Sequence, residues 1–139
     1  MPAVICLGAA SVSDIRQRKV ADLTWWIMAV SGLLLLPFET EGPGLTCFTD
    51  CLFVIFIQEH IMCRAYGRAD SHAFSCCALF FCFAGYGLEA HILHMCLSLG
   101  FLTIIQLISG NIRGNGKLRH PVAFIPYISV SFLVVFMIK

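Results

Sequence analysis

Charged residues are scarce in this sequence. Asp, Glu, Lys and Arg make up 12% of its 139 residues, whereas 59% belong to the hydrophobic set and the mean hydropathy is +0.87. A soluble domain usually has about 25% charged residues, so this chain has too few to cover a water-facing surface. A soluble enzyme, a disordered protein and a nucleic-acid-binding protein are therefore excluded. The length predicts a single domain, residues 1–139, in contact with a lipid bilayer.

Two further features that the sequence lacks restrict the classes of protein to which it can belong. No two cysteines have C-x-x-C spacing, which argues against a zinc ribbon or a thioredoxin-type centre. No Lys or Arg precedes the first apolar run, which argues against a cleaved signal peptide. Buried free thiols in a reducing or lipid setting are the expectation for the eight cysteines, which are Cys6, Cys47, Cys51, Cys63, Cys76, Cys77, Cys82 and Cys96.

Long apolar blocks, separated by polar residues, make up most of the chain. A membrane-spanning helix takes roughly 20 residues, so most of the blocks are slightly short. Barrel strands would alternate apolar and polar residues, and these blocks do not. We therefore predict an all-α, polytopic membrane protein with about six transmembrane helices. The blocks are 2–13, 23–38, 45–58, 73–88, 90–109 and 121–138.

The few charges alternate in sign from one loop to the next. Eight of the nine basic residues lie in the first, third and fifth loops. The charged residues of the intervening loops are all acidic. The positive-inside rule makes the odd-numbered loops cytoplasmic and places both termini outside. The basic residues in question are Arg16, Arg18, Lys19, Arg64, Arg68, Arg113, Lys117 and Arg119.

Two aspartates, Asp14 and Asp70, lie at the predicted cytoplasmic ends of helices, at a similar depth. Two carboxyl groups that approach closely share a proton, so that one acts as a general base on water and the other as an acid. Such a pair hydrolyses a peptide bond without a metal ion. In the alternative interpretation, Asp70 caps a helix N-terminus and Asp14 offsets neighbouring arginines.

Three segments resemble motifs of the type IV prepilin peptidases, the GxGD-type membrane aspartyl proteases. Residues 14–22 (DIRQRKVAD) are similar to the first-aspartate motif, and residues 67–70 (GRAD) to the G-x-G-D signature in its G-x-A-D form. Residues 119–127 (RHPVAFIPY) resemble the opening of the last helix of that family. The three segments occur in the family order and cover nearly the whole chain.

The resemblance implies that Asp14 and Asp70 are the catalytic pair, with Gly67 giving the backbone freedom that Asp70 needs. It also implies that Arg16, Ala69 and His72 occupy positions in the motifs that support the catalytic pair. This chain departs from the family pattern at three positions: Ala21 in place of Pro, Ala69 in place of the second Gly, and His72 where the family generally has Lys.

A function follows from the resemblance as an expectation. It implies a GxGD-protease-like helical bundle in the plasma membrane of a prokaryote, which cuts the short basic leader of prepilin- or preflagellin-like precursors at the cytoplasmic face. No cofactor is implied. The zinc-binding insert that large members carry is missing, so methyltransferase activity is not expected. The substrate-binding residues, the individual substrate and the oligomeric state stay open.

Four other interpretations remain. One is a small transporter or assembly subunit that relays protons or ions through Asp14 and Asp70, and another is a catalytically inactive relative of the peptidases. A haem held by His91 and His94 is a third, although an ordinary polar contact near the outer interface suits these histidines better. The fourth is a zinc site, whose candidate ligands are Glu59, His60, Cys63, His72, Cys76 and Cys77.

Overall fold

The fold is helical in every regular element. A computed structural model describes residues 2–17, 19–34, 44–109 and 122–138. This confirms the predicted all-α class. The elements are α1 (Pro2–Gln17), α2 (Asp22–Leu33), α3 (Leu45–Ile57), a π-helical turn (Gln58–Met62), α4 (Cys63–Tyr66), α5 (Arg68–Phe83), α6 (Gly87–Ile108) and α7 (Ile125–Ile138).

Two helical segments are long and apolar enough to cross a membrane. One is the continuous segment Leu45–Tyr66, in which α3 runs through the π turn into α4, and the other is α6; each has 22 residues. The first is longer than the predicted apolar block 45–58, because the π turn carries the helix on through polar residues. Helix α7 is apolar but shorter, with 14 residues.

Helix α5 lies at the centre of the described structure. Eleven of its sixteen residues are buried, and it packs against α2, α3, α6 and α7. A helix that is apolar on all sides is typically found in the interior of a protein, with other helices packed around it. The aromatic rings of Phe74 and Phe81 are fully buried and contact His94 and other aromatic rings from α6 and α7.

The outer surface of the bundle is apolar to an unusual degree. Leu45 is 80% exposed, Trp26 70% and Met137 85%, and many other large hydrophobic side chains face outward as well. Water-soluble monomers rarely expose contiguous apolar surface of this extent. The surface therefore agrees with the scarcity of charge in the sequence.

Candidate functional site

Asp14 lies in the last turn of α1, beside the start of α7. Its Oδ2 accepts a hydrogen bond from the backbone N–H of Ile125, with an N–O distance of 3.3 Å. Ile125 is the first residue of α7, and the first N–H groups of a helix have no partner within the helix. Asp14 thus supplies a hydrogen-bond acceptor for an N–H group that has no partner within α7.

Asp70 lies in the first turn of α5 and is half-buried. Burial, together with the nearby charge of Asp14, raises the pKa of Asp70 to about 7. The two carboxyl groups, which are far apart in the sequence, are thus close enough in space to interact. The N-cap position of α5 is occupied by Gly67, and Asp70 is the acidic residue of the first turn.

Gly67 separates α4 from α5 and is the residue next to the first turn of α5. Its φ is +110° and its ψ is 159°, a combination that L-residues with a side chain essentially do not adopt. A Cβ at this position would lie 3.6 Å from Asp70 Oδ2. Gly67 therefore adopts a backbone conformation that requires glycine, at the point where the chain turns towards Asp70.

A cavity of about 250 Å³ opens next to Asp70. Apart from Asp70 and Gln106 its walls are mainly apolar, and they include Leu99, Leu102 and Phe124. Tyr66 also lines it, and the Tyr66 hydroxyl is buried with no hydrogen-bond partner among the described residues. The lining of the cavity thus combines a carboxyl group, an amide side chain and a tyrosine with a mainly apolar wall.

His72 is paired with Glu59 and not with Asp70. His72 Nδ1 lies 3.0 Å from Glu59, and Ser75 Oγ donates a 2.7 Å hydrogen bond to the same carboxylate. Glu59 belongs to the π turn, so these contacts fasten the turn to α5. Ser71 adds a further bond by donating to the carbonyl oxygen of Gln58 at 2.6 Å.

The other two supporting motif positions are exposed. Arg16 lies in the last turn of α1, and Ala69 in the first turn of α5. Residues 119–121 of the third family-like segment lie outside the described residues. The part that is described includes Phe124, buried beside the cavity, and Ile125, which contacts Asp14.

Replacement of Glu59 by Ala is expected to lower the stability of the bundle. The change removes the acceptor for Ser75 and the partner of His72, and an unpaired buried polar group costs about 1–3 kcal/mol. Glu89 is exposed in the first turn of α6, so Glu89→Ala is a matched control, with an expected effect within about 0.5 kcal/mol. Unfolding of both variants in detergent micelles measures the difference, and equal stabilities would contradict the structural role of Glu59.

The zinc and haem hypotheses gain no geometric support. In the ranges that the structure describes, no three His, Cys, Asp or Glu side chains are grouped so as to hold a metal ion. The ring of His60 stacks on that of Phe56, with ring centroids 4.5 Å apart. Both histidines are buried, and the rings of Phe74 and Phe132 pack beside them. His94 makes an ordinary polar contact, since its Nε2 lies 3.0 Å from the carbonyl oxygen of Ile128, whereas neither ring nitrogen of His91 has a hydrogen-bond partner among the described residues.

The sequence does not predict a role for Tyr66, and it offers Glu59 only as a candidate zinc ligand, not as the partner of His72 and Ser75. Tyr66 is next to the GRAD segment, so its proximity to Asp70 follows from the chain, but its burial does not. Scans of protein-family models, curated proteins and solved structures give no match to this chain.

Proposed function

We propose that this protein is a membrane-embedded aspartic endopeptidase that removes the short leader of pilin-like precursors at the cytoplasmic face. The observation that carries the proposal is the proximity of Asp14 on α1 to Asp70 on α5, where the charge of Asp14 contributes to the raised pKa of Asp70 and Asp70 lines an open cavity. The resemblance of residues 14–22 and 67–70 to the prepilin-peptidase motifs supplies the class of substrate.

The different surroundings of the two carboxyl groups suggest their roles. Asp14 accepts a hydrogen bond from the Ile125 N–H at the start of α7, and we assign it the role of the general base that takes a proton from water. Asp70 has a pKa of about 7, so it is largely protonated in mildly acidic solution and acts as the general acid. A pair with such divergent environments needs neither a metal ion nor a covalent intermediate.

The reaction proceeds in two steps. Asp14 takes a proton from a water molecule as the water oxygen bonds to the scissile carbonyl carbon, and Asp70 gives its proton to the carbonyl oxygen. The tetrahedral intermediate then loses the amine: the C–N bond breaks, the leaving nitrogen takes the proton held by Asp14, and a hydroxyl proton returns to Asp70. One water molecule is consumed, and both aspartates return to their starting states.

The cavity beside Asp70 suggests where the substrate lies. A pilin-like precursor carries a hydrophobic helix directly after its leader, and the walls formed by Leu99, Leu102 and Phe124 can accommodate an apolar side chain near the scissile bond. Tyr66 lines the same cavity, and its hydroxyl, which has no hydrogen-bond partner among the described residues, is the group that we assign to donate a hydrogen bond to the bound substrate.

A membrane location supports the proposal. The two 22-residue helices and the apolar outer surface favour a bilayer, and the six-span arrangement with Asp14 and Asp70 on the cytoplasmic side is the topology that the loop charges predict. The plasma membrane of a prokaryote is the location that this substrate class implies.

The direct test is leader cleavage by the purified protein reconstituted in lipid with a pilin-like precursor. We expect release of an intact leader peptide, identified by mass spectrometry, with and without a metal chelator. Loss of cleavage on chelation would contradict the metal-free mechanism. Failure with every precursor tried would contradict the peptidase proposal and favour an inactive relative or a proton-relaying transporter, which proton flux into the same vesicles would reveal.

Tyr66→Phe is expected to lower the rate of cleavage roughly tenfold or more while leaving stability unchanged. The variant removes only the hydroxyl, and one lost hydrogen bond to a transition state commonly costs a factor of about 100 or more. Tyr86, which lies just before α6 and outside the cavity, provides the matched control Tyr86→Phe. Equal cleavage rates in the two variants would show that the Tyr66 hydroxyl does not contact the substrate.

A further inference from the structure

Three thiols meet where α3 begins and α5 ends. Cys51 and Cys82 are buried in one small apolar cluster with Cys47 against it, and the sulfur atoms of Cys47 and Cys82 are 3.5 Å apart. His91 lines the small cavity between these cysteines, and neither of its ring nitrogens has a hydrogen-bond partner in the described part of the chain. The proposed peptidase mechanism uses none of these residues.

We infer that Cys47 and Cys82 are the site of a disulfide bond that joins α3 to α5. Cys82 lies 12 positions after Asp70 in α5, and at 1.5 Å per residue this places it about 18 Å away along the helix. In the proposed topology the thiols are therefore at the extracytoplasmic end, where disulfides form and persist. The inference depends on that orientation but not on peptidase activity.

The geometry favours this pair. A disulfide requires a sulfur–sulfur distance of about 2.0 Å, so the two sulfur atoms must approach by about 1.5 Å, which small side-chain rotations at two packed helices supply. Cys47 is half-exposed, whereas Cys51 and Cys82 are buried. An external oxidant therefore reaches Cys47 first, and Cys82 is the thiol in contact with it.

The chemistry balances with a low-molecular-weight disulfide as the oxidant. The Cys47 thiolate attacks that disulfide, forming a mixed disulfide and releasing one small thiol. Cys82 then attacks the Cys47 sulfur, which forms the protein disulfide and releases the second small thiol. The two cysteines are oxidised and the small disulfide is reduced by two electrons. The proton that Cys82 loses goes to the departing thiolate, which leaves as the second small thiol.

An apolar environment favours the disulfide over a metal–thiolate centre. A disulfide carries no charge, whereas three thiolates around one cation leave a net negative charge that is costly to bury. Cys51, the third thiol of the cluster, remains free in this arrangement.

The test is peptide mapping of the full-length protein taken from membranes under thiol-blocking conditions and digested without reductant. We expect one linked pair of peptides containing Cys47 and Cys82, which separates after reduction. Cys51→Ser should keep this link, as should Cys96→Ser, which alters an exposed cysteine outside the cluster. Cys47→Ser and Cys82→Ser should each abolish it.

Unlinked Cys47 and Cys82 in the wild-type protein, both blocked as free thiols, would overturn the inference. A link between Cys51 and Cys82 would overturn the choice of pair. Neither result depends on the variants folding, and neither bears on leader cleavage, so the inference and the proposed peptidase activity are tested separately.

Discussion

Asn in place of either Asp14 or Asp70 is expected to lower the rate of leader cleavage at least about 100-fold. General acid–base catalysis contributes about 10²–10⁴-fold to a rate, and an amide can neither accept the proton of water nor deliver one to the leaving group. Both variants should still accumulate in the membrane. In Asp14→Asn the amide oxygen can still accept a hydrogen bond from the N–H of Ile125. In Asp70→Asn a neutral amide replaces a half-buried carboxyl group.

Asp22→Asn is the control for these two substitutions. Asp22 begins α2, within eight residues of Asp14 on the same predicted cytoplasmic loop, but it lines a different cavity, between α2 and α5. Its replacement should leave the cleavage rate within about twofold of the wild type. Normal cleavage by Asp14→Asn or by Asp70→Asn, each measured at equal membrane abundance, would refute the two-aspartate mechanism.

Gly67→Ala is expected to produce the second large effect. A side chain at φ +110° and ψ 159° strains the backbone by about 1–3 kcal/mol. The chain relieves this strain by rotating Gly67, which moves the start of α5 and with it Asp70. We therefore expect both a lower melting temperature and a fall in cleavage rate of about tenfold or more.

Gly100→Ala shows whether any Gly-to-Ala change in the bundle has this effect. Gly100 lies within α6, has no positive φ, and has open space where a Cβ would be. Alanine favours a helix by up to about 1 kcal/mol relative to glycine, so this variant should be at least as stable as the wild type. Equal cleavage by Gly67→Ala and Gly100→Ala would show that the conformation of Gly67 does not position Asp70.

The helical class and the ends of the helices at Asp14 and Asp70 could be predicted from the sequence. Apolar blocks that do not alternate with polar residues indicate helices and not barrel strands, and the polar residues between the blocks indicate approximately where the helices end. Helix α1 runs through Gln17, beyond the predicted block 2–13, because apolar content marks the lipid-facing part of a helix and not its hydrogen-bonded end.

Contacts between distant helices could not be predicted. Where a helix is apolar on every side, its sequence does not indicate which face meets which neighbour. The contact between Cys47 and Cys82, the burial of His91 and the pairing of His72 with Glu59 all depend on rotations of helices about their own axes. The π turn that presents Glu59 also has no clear signature in the sequence, because it is defined by its hydrogen bonds.

The central claim is tested most directly by a pH titration of the wild-type protein in which infrared difference spectroscopy monitors the protonation of the carboxyl groups. One carboxyl group should titrate near pH 7, protonated below and ionised above, and cleavage should decline as the pH rises through this value. The signal should be missing in Asp70→Asn and should move to lower pH in Asp14→Asn, because the neighbouring negative charge is removed. Titration of every aspartate near pH 4, unaffected by either substitution, would contradict the account.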